Sequence, residues 1–117
     1  MAIEERKAIV RRFYEEVWNQ ERLAVTDNVL APNYAVNGET RSPEEFRKRF
    51  QAFRPDWSTL QIIIEDMVAE GDKVATHWTM HGTWRATGKQ ITARGISFCR
   101  ITEGKIQDYW FCSDPWE

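Results

Sequence analysis

Apolar side chains recur at helical spacing in the first half of the chain and alternate with polar ones in the second half. In residues 4–19, Ile9, Val10, Phe13, Val17 and Trp18 stand among Glu and Arg. This predicts an amphipathic helix ending near Asn19. Residues 22–30, with Leu23, Val25, Val29 and Leu30 apolar, predict a second helical stretch stopped by Pro32. Residues 34–37 predict a short extended piece. Ser42 has the features of an N-cap, with Pro43 at the first helical position and Glu45 three residues on. The third helix then runs to about Phe53 and puts Phe46, Phe50 and Phe53 on one side.

Beyond Pro55 the period changes to two. Strands are predicted over residues 60–69, 74–84, 91–101 and 105–113, with turns at Gly71-Asp72 and Gly88. Val74, Thr76, Trp78 and Met80 share one face of the second strand, and His77 and His81 share the other. Three helices followed by a strand meander predict one α+β domain, residues 1–117, with helices packed on one face of a curved antiparallel sheet. Reading Thr102-Glu103-Gly104 as a three-residue loop sets Ile101 opposite Lys105, Cys99 opposite Gln107, Ser97 opposite Tyr109 and Gly95 opposite Phe111. The other face carries Ile96, Phe98, Trp110 and Cys112. Both faces are then largely apolar. One should meet the helices, and the other should be covered, most simply by a second copy of the chain.

Composition narrows the class. The chain has 117 residues, 42% hydrophobic and 29% charged, which suits a globular domain with one core. Its formal charge is -2, so neither nucleic acid nor an anionic membrane is an expected partner. No apolar run approaches the ~20 residues of a membrane helix, and the charged start is not expected to be a leader. Cys99 and Cys112 point to opposite faces, which argues against their pairing and for reduced thiols in a cytoplasmic protein. His77 and His81, four residues apart on a strand, are too far apart for one metal ion. Neither metal nor cofactor is expected.

The motifs resemble those of SnoaL-like polyketide cyclases, a branch of the nuclear transport factor 2-like superfamily. The resemblance rests on Arg12-Phe13-Tyr14-Glu15-Glu16-Val17-Trp18-Asn19, on Leu30-Ala31-Pro32-Asn33-Tyr34, on Pro55-Asp56-Trp57 and on Glu70-Gly71-Asp72-Lys73-Val74-Ala75. It continues in Gly82-Thr83 and in the hairpin Arg100-Ile101-Thr102-Glu103-Gly104-Lys105-Ile106, closing on Tyr109-Trp110 and Asp114. It implies a cone: a curved sheet wrapped on N-terminal helices and open at one end. Family chemistry includes cyclases, isomerases, epoxide hydrolases and dehydratases, so the reaction must come from site residues.

Those residues depart from the family pattern. The resemblance places the cyclase Asp at Phe111 and its companion His at Ser97. Asp114, further along, is then the remaining candidate acid, or a turn cap before Pro115. Tyr14 matches the oxyanion-hole tyrosine of ketosteroid isomerases, where a phenol O–H can stabilise an enolate; the alternative is a core tyrosine. Asn37 stands where relatives often carry His and can orient a carbonyl, or make a turn with Gly38. An aromatic pocket is expected from Trp18, Tyr34, Trp57, Trp78, Tyr109 and Phe111, with Asn37 and Ser97 on its wall. Two function classes stay open. One is a small-molecule enzyme working by cofactor-free acid/base chemistry on a small hydrophobic or aromatic ligand, with Tyr14 and Asp114 catalytic. The other is a ligand-binding or homodimeric assembly domain that has lost the acid.

Overall fold

A computed structural model describes residues 1–115 of the chain. Helix α1 (Ile3–Arg12) runs on without a break into a π-helical segment (Phe13–Asn19). The π turn bonds i to i+5 and is wider than an α turn. It lets the neighbours Phe13 and Tyr14 both turn inward, with Val17 below them. The second helical stretch is shorter than its periodicity suggests. It consists of a 3-10 turn (Leu23–Val25) and one turn of helix, α2 (Thr26–Val29). Leu30 is already extended; Pro32 disfavours helical backbone at Ala31 and offers no N–H, so the helix cannot run on past it.

Strand β1 (Leu30–Val36) therefore begins where helix was expected. It pairs with the short β2 (Glu39–Thr40) across a two-residue turn, Asn37-Gly38. Both turn residues have positive φ, +48° and +85°, the type I′ geometry that Asn-Gly favours. Helix α3 (Pro43–Phe53) starts as its sequence indicates, with Ser42 Oγ accepting from the Glu45 N–H at 3.2 Å. A 3-10 turn (Arg54–Asp56) leads to β3 (Trp57–Glu70), β4 (Lys73–Trp84), β5 (Gln90–Thr102) and β6 (Lys105–Ser113).

The sheet order is β2-β1-β6-β5-β4-β3, with the helices on one face. One pairing corrects the all-antiparallel expectation: β1 runs parallel to β6. A parallel neighbour needs a long crossover, and α3 with the whole β3–β5 meander supplies it. No local turn signal announces such a pairing. Bulges in β3 and β6 bend the sheet around the helices.

The last hairpin corrects the predicted register. Its loop is two residues, Glu103-Gly104, both at positive φ, and Thr102 faces Lys105. A bulge at Gln107 then shifts the strand once more, so Cys99 faces Tyr109, Ser97 faces Phe111 and Gly95 faces Ser113. The two shifts add to an even number. The faces therefore survive although the pairs do not: Ser97, Cys99 and Ile101 point inward, and Ile96, Phe98 and Trp110 point outward.

Two glycines make room for the largest core side chains. A Cβ on Gly82 would lie 2.5 Å from the Trp57 ring, and one on Gly95 would lie 2.2 Å from the Trp78 ring. Both indoles lie over bare backbone on the inner face of the sheet. On the outer face Val68, Ala75, Phe98 and Trp110 line up across four strands. Ile96, Phe98 and Trp110 stay 56%, 42% and 48% exposed in the single chain. His77 and His81 also lie on this outer side.

Candidate functional site

An aromatic cavity of about 170 Å³ opens between the helices and the β1–β6 pair. Phe13 and Trp18 of the π segment form one wall, and Phe46, Phe50 and Phe53 of α3 form another. Trp18 meets all three of those rings edge-on, at 5.2–6.1 Å between centroids. Leu30, Tyr34 and Val36 of β1, with Tyr109 and Phe111 of β6, close the remaining side. Arg41 and Arg49 complete the lining. Wider grooves exist elsewhere, one of them along Val68, Glu70, Lys73 and Phe98 on the outer sheet face. They are shallow and have no comparable set of rings.

Four of the residues expected to line a pocket do line this cavity: Trp18, Tyr34, Tyr109 and Phe111. Phe111 projects there as its place in the motif implies, opposite Ser97 and 5.7 Å from the Tyr109 ring. Trp57 and Trp78 do not line it; they are core side chains seated over Gly82 and Gly95. Asn37 is a turn residue whose Oδ1 accepts from the Phe111 N–H at 2.9 Å, fastening the β1–β2 hairpin to β6. Ser97 is fully buried behind the cavity wall.

Tyr14 lies in the same layer as Ser97. Its hydroxyl meets Ser97 Oγ at 2.5 Å and the Tyr109 hydroxyl at 2.6 Å, which makes a row of three buried hydroxyls. The Trp78 indole N–H faces the same phenol without a hydrogen bond of good geometry. Burial raises the Tyr14 pKa far above the phenolic range, more than the Ser97 and Tyr109 bonds lower it. Burial does the same for Tyr109, with the neighbouring Tyr14 adding to the rise. Both phenols stay protonated donors. Tyr34 is pushed up to about 12, again by burial, although the nearby charges of Arg41 and Arg49 pull the other way. These groups can polarise a carbonyl; they cannot act as bases near neutral pH.

Asp114, the candidate acid, lacks the buried setting that would raise a carboxyl pKa toward neutrality. Its carboxylate accepts from both the backbone N–H and Nε of Arg94 at 3.2 Å, and it is 46% exposed. Those hydrogen bonds lower its pKa. It does not line the aromatic cavity. Among the described residues, the cavity wall holds neither a carboxylate nor an imidazole. No cluster of three or more His, Cys, Asp or Glu among them could hold a metal ion. Cys99 is buried and Cys112 exposed, each as a free thiol. Among the described residues, no helix is long and apolar enough to cross a membrane.

Sequence reasoning missed the two arginines and the α3 phenylalanines as cavity residues. The phenylalanines were visible as one apolar side of a helix. Arg41 and Arg49 looked like ordinary solvated charges, and only the packing of α3 against β1 brings them to the cavity.

Comparison with known proteins agrees with this architecture. The SnoaL-like polyketide cyclase family model matches residues 8–116. No curated protein sequence matches the chain. Among solved structures, a candidate polyketide cyclase from Acidithiobacillus ferrooxidans is similar at TM-score 0.86 and 24% identity, covering 97% of this chain and 92% of its own. TsrD from Streptomyces laurentii is similar at TM-score 0.87 and 20% identity, with 97% and 91% covered. A SnoaL-like polyketide cyclase from Agrobacterium tumefaciens is similar at TM-score 0.83 and 16% identity, with 93% and 91% covered. Helices on one face of a curved six-stranded sheet, and a family match over nearly the whole length, lead to one conclusion: the chain belongs to the SnoaL-like polyketide cyclase family.

Proposed function

We propose that this chain binds a small planar aromatic molecule in the cavity between α3, the π segment and the β1–β6 pair. The observation that carries this reading is the ring-lined cavity itself. It is lined by eight aromatic and two aliphatic side chains from four elements and has a volume of about 170 Å³. A dry apolar cavity of ~150 Å³ accepts a benzene ring, so the cavity suits a ligand of one or two rings. Among the described residues the wall carries no group that would serve as a base at neutral pH, which favours binding over acid/base turnover.

A second reading is an enzyme of cyclase, isomerase or dehydratase type, working without a cofactor. The Ser97–Tyr14–Tyr109 row of hydroxyls favours it. If Ser97 donates to Tyr14 and Tyr14 to Tyr109, the Tyr109 O–H is free to stabilise an oxyanion. The discriminating experiment is a panel of planar ketones and polyketide-like aromatics, scored for both thermal shift and product. Binding without product supports the first reading. Turnover that collapses in Tyr14→Phe supports the second. No thermal shift and no product across the panel would refute both.

The proposal extends to assembly and compartment. The outer stripe of Val68, Ile96, Phe98 and Trp110 is a contiguous exposed apolar band, larger than scattered surface residues would give. A homodimer that buries this band accounts for it. Two free thiols on opposite sheet faces fit a reducing compartment, so the proposed location is the cytoplasm.

A further inference from the structure

Arg41 differs from the other partly buried arginines in having no close acceptor, although Arg54 shares a buried Nε without a hydrogen bond. Arg47 bonds Thr26 Oγ1 at 2.7 Å and Asp27 at 3.1 Å; Arg54 Nη1 bonds the Trp57 carbonyl at 2.7 Å; Arg100 holds Asp108 at 2.7 Å. Arg41 has only Glu39, at 3.5 Å from Nη2, and that carboxylate is 69% exposed. The Arg41 side chain is itself only 18% exposed, and its Nε is buried without a hydrogen-bond partner. A buried cationic donor facing rings and aliphatic carbons is costly unless an anion meets it. Its backbone is also held beside Tyr34: the Arg41 N–H donates to the Tyr34 carbonyl at 2.7 Å.

A second cation stands near it. Arg49 lines the same cavity from α3 and makes no ion pair among the described residues. Both charges are felt at the Tyr34 phenol, which itself makes no hydrogen bond among the described residues. The carboxylates nearby are Glu39 and Glu45. Glu39 touches Arg41 only loosely, and Glu45 is engaged with Ser42 at the start of α3. The cavity wall thus combines apolar rings with two planar cations and a buried phenol donor.

We propose that the ligand of this cavity is an aromatic acid, its ring held among Phe13, Trp18, Phe46 and Phe50 and its carboxylate held by Arg41 and Arg49. The Arg41 guanidinium is planar, and beyond its 3.5 Å contact with Glu39 its Nη–H groups offer the end-on fork that matches a carboxylate. Tyr34 supplies a further O–H donor. This inference rests on the binding reading above and adds the charge of the ligand.

The test uses two isosteric pairs, benzoate with benzamide and 2-naphthoate with 2-naphthamide, titrated calorimetrically against the full chain. The acid of at least one pair should bind more tightly than its amide by roughly 10- to 100-fold, the range for hydrogen bonds to a charged partner. Arg41→Gln and Arg49→Gln should remove most of that preference while leaving amide affinity within about threefold. Arg41→Lys, which keeps charge but loses the fork, should retain only part of it. Circular dichroism of each variant confirms the fold. Equal binding of acid and amide, unchanged in Arg41→Gln, would overturn the inference and leave the aromatic cavity standing. Failure of all four probes to bind would overturn the cavity reading as well.

Discussion

Replacing Gly95 with alanine tests how tightly the inner face of the sheet is matched to the rings above it. A Cβ there would stand 2.2, 2.3 and 2.7 Å from three atoms of the Trp78 indole. Real Cβ atoms essentially never come within 3.0 Å of another heavy atom, so either the ring or the strand must move. Gly95 pairs with Trp78 on one side and Ser113 on the other, which holds the backbone. The indole is 4% exposed and surrounded by core, which holds the ring. Overpacking typically costs about 1–3 kcal/mol, and with both partners held the cost should reach about 3 kcal/mol. For a chain of this size that lowers Tm by roughly 12 °C, taking about 4 °C per kcal/mol. Urea unfolding followed by far-ultraviolet circular dichroism should show a lower midpoint with an unchanged slope. In a Trp78→Leu background the same substitution should cost much less, because the clashing ring is gone. A loss below about 0.5 kcal/mol, the range of an inert surface change, would refute the reasoning.

Four further outcomes are expected. Tyr14→Phe leaves Ser97 and Tyr109 without their shared partner and should destabilise by about 1–3 kcal/mol, read by the same denaturation. All three tyrosines have raised pKa values. Their contribution to stability is therefore full below the unfolded value near 10 and is lost as pH rises beyond it. Tyrosinate absorbance should appear together with unfolding rather than before it, and a phenol titrating normally in the folded chain would contradict this. The lowered Asp114 pKa works in the opposite sense: its contribution is present above the unfolded carboxylate value and lost as pH falls through the folded one, so Asp114→Asn should flatten the acid limb of the stability profile. Trp110→Lys should convert a dimer to monomer or aggregate by light scattering, and a wild-type monomer at micromolar concentration would remove the dimer proposal.

What the sequence disclosed depended on whether the signal was local. Ser42-Pro43 gives the start of α3 because cap, ring and helix lie within four residues. Strand faces survive in β4 and β5 because alternation is fixed by the pleat. The register of the last hairpin was misread because a loop of two residues and a bulge at Gln107 leave no mark in the pattern. The β1–β6 pairing joins residues distant along the chain, and nothing near Tyr34 announces it. The site divides in the same way. Trp18, Tyr34, Tyr109 and Phe111 were legible from type and motif. Trp57 and Trp78 were expected at the pocket and are core, because the glycines that seat them lie on other strands. Arg41 becomes conspicuous only once the packing of α3 against β1 brings it to the cavity, since burial is a property of the assembled fold.

The parallel pairing of β1 with β6 also bears on how the protein reaches and leaves its folded state. Strands β3 to β6 are joined by short turns and can zip together from neighbouring contacts. The cavity cannot form that way, because its opposite walls meet through links such as that between Asn37 and Phe111, 74 residues apart. Contacts of that span come late, after the entropy of closing a long loop has been met. The aromatic cavity is then expected to assemble late and to open early. Amides of β1, β2 and α3 should exchange with solvent faster than those of β4 and β5. A ligand lodged there would slow that exchange first, acting as a clasp on the least secure seam of the fold.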